Sequence, residues 1–339
     1  MKETLSSIAS RTGVSVTTVS RVLSGNAKKY RISKDTVKKV LNDARDCNYS
    51  PSLIAQSLRT NRTNSIGLLL PSISNPYFAD MASVIIHEVN EKGYTTIVMD
   101  TMEDEDNFNK SASVLLSRRV DGIIAVPCGT NASVLEGINR DYLPVVLIDR
   151  YFEDSGLPYV TTNNYLGGAE ATRYLISAGH KRIACIQGVL ESTPNAKRVR
   201  GYLDTMASAG LSEFAEVVGN EFSIRNGYDE TTRLLDNPQR PTAIFALSNT
   251  IALGVLKAIR EASLRIPEEI SLVAFDDYTY MDFLEPPVTR ISQPVQDMAR
   301  IATKLLFDRI EESDAVHTSQ IKLSPTLIIG ASVKPYILP

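Results

Sequence analysis

The sequence predicts an all-α N-terminal head with a helix-turn-helix, followed by an α/β core of two doubly wound parallel-sheet subdomains. Three observations support this fold class: two short helical patterns between Thr4 and Gly25, an excess of basic residues at the N-terminus, and apolar runs that alternate with amphipathic stretches from Ser65 onward. The chain has 339 residues, 43% of them hydrophobic. It is therefore long enough for one small domain and one or two larger domains with their own cores.

The segment TLSSIASRTGVSVTTVSRVLSG, from Thr4 to Gly25, has the pattern of a helix-turn-helix. Apolar residues recur at helical spacing in both halves, so each helix presents one apolar stripe to the other. These residues are Leu5, Ile8 and Ala9 in the first helix and Val19, Val22 and Leu23 in the second. Gly13 permits a sharp turn between the helices, and Ser15 can cap the second one.

The opposite face of the second helix carries Val16, Thr17, Ser20 and Arg21, which suit a DNA major groove. Arg21 can bind a guanine edge or a phosphate, and Val16 and Thr17 can touch a thymine methyl group. A purely structural pair of helices is the alternative for any isolated hairpin. The charge of the segment favours the DNA-binding interpretation.

The N-terminal segment is strongly basic. Residues 1–62 contain twelve Lys and Arg against four Asp and Glu, a net charge of +8, so the remaining residues carry −11 to reach the net −3 of the chain. A basic surface suits a polyanion, because each cation placed on a phosphate releases counterions. A merely solvated face is the other interpretation of such a charge excess.

A third helix is predicted from the cap Ser33, closing a three-helix head that ends near Tyr49. Its apolar positions are Val37, Val40, Leu41 and Ala44. The preceding loop, AKKYRI at 27–32, is unusually cationic. It could lie along the DNA backbone or stay solvated.

The segment YSPSLIAQSLRTNRT that follows the head predicts a short hinge helix. Ser50 can cap it and Pro51 suits its first position. A helix of little more than two turns is marginal in water, so we expect it to form only against a twin from a second subunit and a DNA minor groove. Leu58 would then be an apolar wedge between base steps. Alternatively, Ile54 and Leu58 pack on the core as an i, i+4 pair.

From Ser65 onward, seven apolar runs predict buried strands. They are IGLLL at 66, TIVM at 96, GIIAV at 122, VVLI at 145, IACI at 183, AIFAL at 243 and SLVAF at 271. Helical patterns fit between them at 81–90, 108–116, 169–177 and 251–262. Near-continuous apolar strands separated by helices are typical of parallel sheets, and seven are too many for one small sheet, so two subdomains are predicted.

Polar and aromatic residues that follow these strands are the candidate ligand contacts, because open α/β sheets bind ligands at the carboxyl ends of their strands. They are Asn75 to Phe78, Asp149 and Arg150, Arg198 at a predicted helix start after IACIQG, Phe222 after a short VVGNE strand, Ser248 and Asn249, and Asp276 with Asp277. Carboxylates, an arginine and aromatic rings in one cleft are typical of a site for a sugar or another polyhydroxylated metabolite. Taken singly, each is more often a surface polar group or a helix cap.

Over essentially its full length the chain resembles the lactose and galactose repressor (LacI/GalR) family of bacterial transcription regulators. The resemblance rests on VSVTTVSRVLSG, YSPSLIAQSL, SIGLLLPSISNPYF, GHKRI, RVRGY, ALG, SLVAFDD and PPVTRISQP, in the family order. The AKKYR loop is longer than in the common form of the family. The resemblance implies a periplasmic sugar-binding-protein fold in the core, with the chain crossing between subdomains near Thr162, Ile291 and Lys322.

These observations predict the domain organisation. The divisions are a helix-turn-helix domain at 1–49, a hinge helix and linker at 50–62, and an effector-binding and dimerisation core at 63–339, made of subdomain N (about 63–162 and 292–321) and subdomain C (about 163–291 and 322–339).

The predicted sites follow from the same patterns. The predicted DNA contacts are Thr4, Ser15, Val16, Thr17, Ser20, Arg21, Ala55 and Leu58. The resemblance implies effector contacts from Tyr77, Phe78, Asp149, Arg198, Phe222, Asn249 and Asp276, to which the position after the first strand adds Asn75. Many relatives carry Asp where this chain has Asn249. With Arg150 and Arg198 nearby, that change favours an acidic effector such as a sugar acid over a neutral sugar.

The leading hypothesis for function is a repressor that binds a pseudo-palindromic DNA operator as a homodimer and is controlled by a sugar or sugar acid. Effector binding would change the angle between the subdomains and form or melt the hinge helices. The chain ends at SVKPYILP without the leucine-rich helix of the family's tetramers, which is why a dimer is expected. Three unpaired Cys and no apolar run near 20 residues favour a cytoplasmic protein outside the membrane.

Two alternatives come from other classes. A transport-type binding protein would need only the core, but no export signal is visible and the basic head is unexplained. An enzyme is disfavoured because no P-loop, dinucleotide fingerprint, metal-spaced His/Cys set or nucleophile elbow is present, and His87, His180 and His317 are scattered. We therefore expect no catalysis, no cofactor and no metal.

The wedge hypothesis for Leu58 is directly testable. We predict that Leu58→Ala leaves the fold and effector binding intact while greatly weakening operator affinity, because the hinge helices lose the side chain that would open the minor groove. A gel-shift titration measures the effect. An unchanged dissociation constant would refute the wedge assignment.

Overall fold

The computed structural model describes residues 3–49, 62–311 and 319–335. The chain divides into two compact units, Met1–Thr63 and Asn64–Pro339. The predicted hinge helix, with Ala55 and Leu58, lies outside the described residues. Within the part of the chain that the structure describes, no helix combines the length and apolarity needed to cross a membrane.

The described residues of the first unit form three helices around a small apolar core, as predicted. They are α1 (Leu5–Thr12), α2 (Val16–Leu23) and α3 (Lys34–Asp46). The core consists of Ile8, Ala9, Val19, Val22, Val40 and Ala44. The turn after α1 places Gly13 at φ 68°, a left-handed conformation that glycine adopts without strain. Leu41, expected on the buried face, is instead 43% exposed, because it lies one residue beyond Val40 and so about 100° around the helix.

The described residues of the second unit form two six-stranded sheets flanked by helices. The first sheet has the order β11-β5-β4-β3-β1-β2 and the second has the order β12-β10-β9-β8-β6-β7. Strands of the first sheet are β1 (Ser65–Leu70), β2 (Thr95–Asp100), β3 (Gly122–Ala125), β4 (Val145–Ile148), β5 (Tyr159–Thr162) and β11 (Gln320–Leu323). Strands of the second are β6 (Ile183–Ile186), β7 (Ala215–Val218), β8 (Ala243–Ala246), β9 (Ser271–Phe275), β10 (Thr289–Ser292) and β12 (Thr326–Ile328). The predicted fold class is confirmed.

Eight helices in the described part of this unit connect the strands. They are α4 (Pro76–Glu91), α5 (Glu105–Ser117), α6 (Ser133–Asp141), α7 (Asn164–Ser177), α8 (Thr193–Ser208), α9 (Ile224–Leu235), α10 (Asn249–Glu261) and α11 (Val295–Glu311). The four predicted helical patterns begin too late in the sequence. Each helix starts directly after a polar cap, at Asn75, Asp104, Asn163 or Ser248, and apolar periodicity alone does not detect a cap.

The chain passes between the two sheets three times, close to the predicted points. Two boundaries need correction. Ser292 belongs to the second sheet, because it pairs with Thr326. Lys322 and Leu323 belong to the first sheet, because they pair with Thr161 and Thr162, so the last passage lies after Leu323. The strand expected at VVGNE also begins earlier, as β7.

Candidate functional site

A cavity lies at the carboxyl ends of the strands of both sheets in the second unit. The first sheet and its connections contribute Asn75, Tyr77, Phe78, Glu103, Asp149 and Arg150 to its lining. The second contributes Ser192, Pro194, Arg198, Phe222, Ser248 and Asp276, and Gln293 follows the passage out of β10.

Two buried aspartates occupy equivalent positions in the two halves of the site. Asp149 directly follows β4 and Asp276 directly follows β9, and only 4% and 5% of their surfaces are exposed. Both have left-handed backbone conformations, with φ of 65° and 76°. Asp tolerates this region better than most residues, and here it turns the chain so that a carboxylate stands at the end of each strand.

Each carboxylate is hydrogen-bonded by donors from its surroundings. The Tyr77 hydroxyl donates to Asp149 Oδ1 at 2.7 Å. The Gln293 amide donates to Asp276 Oδ1 at 2.7 Å, and the backbone N–H of Asn249 donates to Oδ2 at 3.1 Å. Asp276 is therefore held by the N-terminus of α10 and by the passage after β10.

Burial changes the protonation of this cluster. It raises the pKa of Asp149, although the nearby Arg198 and the Tyr77 hydroxyl act in the opposite direction. Burial, together with the neighbouring carboxylates of Asp149 and Asp276, raises the pKa of Tyr77 well above its usual value. Tyr77 therefore stays protonated and remains a hydrogen-bond donor at neutral pH.

The side chain of Arg198, which lines the site, is held by two hydrogen bonds and an aromatic ring. It lies in the second turn of α8 and not at its start, since the helix begins at Thr193. Its Nε donates to Asn164 Oδ1 and its Nη1 to the Leu247 carbonyl, both at 2.7 Å. The guanidinium carbon lies 3.7 Å from the centre of the Phe275 ring. A guanidinium has five N–H donors, so donors remain for a ligand.

Arg150 forms a bidentate ion pair with Glu103, which the sequence reasoning missed. The two nitrogen–oxygen distances are 2.7 and 2.8 Å, and Arg150 is 7% exposed. Glu103 comes shortly after β2, so the rule that selected residues after strands would have found it if applied to the TIVM run. The pKa of Arg150 is raised despite its burial, because the Glu103 carboxylate favours the charged form.

Aromatic rings surround Arg150. Phe78 and Phe222 lie 5.9 and 5.7 Å from its guanidinium carbon. Phe222 also covers Gly188, where an added Cβ would come within 2.1 Å of the ring. Tyr77 and Phe78 contact each other edge to face at 5.1 Å. These rings supply apolar faces next to the charged groups, as in sites that stack on a sugar ring.

Asn249, a predicted effector contact, is not among the residues that line the cavity. Its Nδ2 donates to Asn75 Oδ1 at 3.3 Å, and this contact joins the N-termini of α10 and α4 across the two halves of the unit. Its Oδ1 is buried and has no hydrogen-bond partner among the described residues. The structure therefore places Asn249 beside the site as a link between the subdomains.

The head exposes part of the predicted DNA-contact surface. Val16 is 43% exposed, and Thr17 and Arg21 are also exposed, whereas Ser20 is half-buried. Thr4 and Ser15 act as helix caps, accepting hydrogen bonds from the backbone N–H groups of residues three positions later.

The described residues contain no group of three His, Cys, Asp or Glu side chains arranged to hold a metal ion. His180 Nδ1 contacts Thr242 Oγ1 at 2.9 Å, and burial lowers the pKa of this histidine to about 4. A neutral, buried imidazole of this kind fits a structural role.

Comparison with known proteins gives matches over both units. The family described as "Bacterial regulatory proteins, lacI family" matches residues 4–52, and "Periplasmic binding proteins and sugar binding domain of LacI family" matches residues 63–329. The ribose operon repressor of Escherichia coli (strain K12) is 34% identical over 328 residues, covering 96% of this chain and 98% of the relative.

Solved structures that are similar to this one include the following two. The lac repressor dimer bound to operator and the anti-inducer ONPF has a TM-score of 0.89 at 24% identity, covering 98% of this chain and all of that one. A LacI family transcriptional regulator from Enterococcus faecium with bound ribose has a TM-score of 0.74 at 25% identity, covering 80% of this chain and all of that one.

The raised pKa of Asp149 gives a testable consequence for stability. Asp149→Asn removes a buried charge, keeps an acceptor for Tyr77 and suits the left-handed backbone. We expect the ligand-free variant to melt about 2–4 °C above the wild type at about pH 7, while losing ligand affinity. A raised pKa means that the native carboxylate contributes stability in acid and loses it as the pH rises through that pKa. The difference in melting temperature should therefore shrink at about pH 4.

Asp141→Asn is the matched control for this experiment, because Asp141 is an exposed carboxylate beside Arg140. Thermal unfolding at both pH values measures the effect. A difference for Asp149→Asn that stays constant with pH would contradict the assigned protonation.

Proposed function

Because the chain belongs to the LacI family of bacterial regulatory proteins, we propose that it is a transcriptional repressor whose operator affinity is controlled by a small neutral sugar bound between the core subdomains. The family resemblance seen in the sequence is confirmed. The observation that carries the proposal is the buried polar cavity lined from both sheets, in a chain that also carries a helix-turn-helix head.

The polar groups of the cavity suit a hydroxyl-rich ligand. A sugar hydroxyl both donates and accepts hydrogen bonds, so it can donate to the carboxylates of Asp149 and Asp276 and accept from Arg198. Phe78 and Phe222 offer apolar surface for the ring carbons. The relatives support this choice, since one is a ribose operon repressor and another was solved with bound ribose.

The charge balance of the cavity favours a neutral sugar over the sugar acid expected from the sequence. Three carboxylates, of Glu103, Asp149 and Asp276, face the two guanidinium groups of Arg150 and Arg198. Arg150 is already neutralised by its bidentate pair with Glu103. An anionic ligand would meet a site with a formal excess of negative charge, which disfavours binding.

The proposed mechanism is a linkage between the cleft and the head. The sugar contacts both halves of the core, so it stabilises one relative arrangement of the subdomains by its differential affinity for the two states. In a homodimer, as in the lac repressor dimer bound to operator, that arrangement sets whether two heads can reach the two halves of a pseudo-palindromic site. Residues 50–61, which include Ala55 and Leu58, connect the head to the core and would transmit the change in subdomain arrangement to the head.

We propose residue roles on the same basis. Val16, Thr17 and Arg21 contact base edges, Ser20 supports them, and Thr4 and Ser15 place helix N-termini against the phosphate backbone. We assign no catalysis to the cleft, since members of the family are transcriptional regulators. Its location is proposed to be the cytoplasm, where operator DNA lies.

A mobility-shift assay tests the function. We expect the protein to retard the DNA upstream of its own gene and one neutral sugar from a panel of sugars, sugar acids and nucleobases to change the dissociation constant by about tenfold or more. Arg21→Ala is the control that should weaken the specific complex. If the protein prefers no duplex over random competitor DNA, with or without small molecules, the proposal is wrong.

The ligand class is tested in the same work by calorimetry on Glu103→Gln. The wild type should bind the neutral sugar and not uronates or ketodeoxy acids, whereas the variant, with Arg150 unpaired, should bind the acids about tenfold better than the wild type does. Glu91→Gln removes an exposed carboxylate outside the cavity lining and serves as the control. Tight uronate binding by the wild type would overturn the neutral-sugar assignment.

A further inference from the structure

The guanidinium of Arg21, on the exposed face of α2, lies on an aromatic ring of the loop that follows. Its carbon is 3.8 Å from the centre of the Tyr30 ring. Tyr30 belongs to the AKKYR segment and is 45% exposed. Lys29 Nζ lies 6.0 Å from the same ring, so the ring carries a second cation nearby.

The loop holds Tyr30 in place by backbone hydrogen bonds. Asn26 N donates to the Arg21 carbonyl at 2.9 Å, which ties the start of the loop to the last turn of α2. Tyr30 N donates to the Asn26 carbonyl at 3.2 Å, and Ile32 N to the Ala27 carbonyl at 3.0 Å. Ala27 and Ile32 also pack against the apolar core of the head. Tyr30 is therefore part of an ordered turn anchored at both ends.

Arg21 differs in this respect from Arg11 in the preceding helix. Arg11 is neutralised by ion pairs with Glu3 and Asp43, both at 3.0 Å. In the described part of the head Arg21 has no such carboxylate partner and is held by a ring. Stacking restrains the guanidinium without neutralising it.

Stacking also leaves the hydrogen-bonding edge of Arg21 free. The ring covers one face of the planar guanidinium, whereas its N–H donors point outward in the plane. Those in-plane donors are the ones that bind two acceptors of a guanine in the major groove. A side chain already fixed in one rotamer loses less conformational entropy when it makes that contact.

We propose that Tyr30 is a positioning residue for DNA recognition, which orients Arg21 for bidentate contact with a guanine while Lys28, Lys29 and Arg31 of the same turn approach the phosphates. This inference rests on the proposed DNA-binding function. It assigns the elongated loop a part in sequence selectivity, in addition to general attraction to DNA.

The test uses the full-length protein and a duplex that the unaltered protein enriches from a random-sequence library. Enrichment of a defined duplex tests whether the protein binds DNA sequence-specifically, and it does so before any variant is made. Fluorescence anisotropy then measures the affinity of each variant for that duplex and for a scrambled one. We expect Tyr30→Ala to lower affinity for the selected duplex by about tenfold and to leave the scrambled duplex nearly unaffected, because bidentate contact with a base depends on the orientation of Arg21 whereas attraction to phosphates does not.

Two further variants separate positioning from a general structural role. Tyr30→Phe keeps the ring and should restore affinity. Lys28→Ala should weaken binding to both duplexes alike and reduce the salt dependence, as expected of a phosphate contact. In an Arg21→Ala background, Tyr30→Ala should cost nothing further, because its target is gone.

The proposal is overturned if Tyr30→Ala lowers the affinity equally in the presence and absence of Arg21. It is also overturned if the substitution leaves selectivity unchanged, or if it strengthens binding, which would mean that the ring withholds Arg21 from DNA.

Discussion

Asp149 and Asp276 are buried at the ends of strands in two separate sheets, and the arrangement of the cleft follows from the need to compensate their charges. A buried carboxylate is costly unless it is hydrogen-bonded or paired. The hydrogen-bond donors lie far apart in the sequence. Tyr77 of α4 donates to Asp149, whereas the N-terminus of α10 and Gln293, which follows β10, donate to Asp276. The raised pKa of Asp149 indicates that compensation is incomplete in the ligand-free cleft. Ligand hydroxyls can complete it, which is how binding can favour one arrangement of the two halves.

Both proposed recognition sites hold an arginine in the same way. Arg198 lies 3.7 Å from the Phe275 ring in the cleft, and Arg21 lies 3.8 Å from the Tyr30 ring in the head. In each case the flat face of the guanidinium is covered and in-plane donors remain. Arg150 is the contrasting case, because a bidentate carboxylate occupies its edge. Arg21 and Arg198, which lie on aromatic rings, therefore keep donors for a ligand, whereas the charge of Arg150 is already neutralised by its carboxylate partner.

The sequence predicts the fold class because buried parallel strands are almost continuously apolar. The strands it misses are polar or lie at sheet edges. The residues of β11, with sequence QIKL, alternate in exposure. β5, with sequence YVTT, is buried although half of its residues are threonines. Both strands are therefore defined by pairing with neighbouring strands and not by an apolar composition. The positions of Asp149 and Asp276 follow from the strand-end rule. The pairing of Arg150 with Glu103 and the setting of Arg198 within α8 depend on contacts between distant segments, which a linear pattern does not contain.

Diffraction from co-crystals of the protein with the sugar that changes its DNA affinity tests the central claim most directly. The account predicts sugar density in the cleft, with hydroxyl groups in hydrogen-bond contact with Asp149, Arg198 and Asp276 and the Arg150–Glu103 pair retained. Density for the sugar at another surface, with the hydrogen bonds of both aspartates unchanged from the ligand-free state, would contradict it.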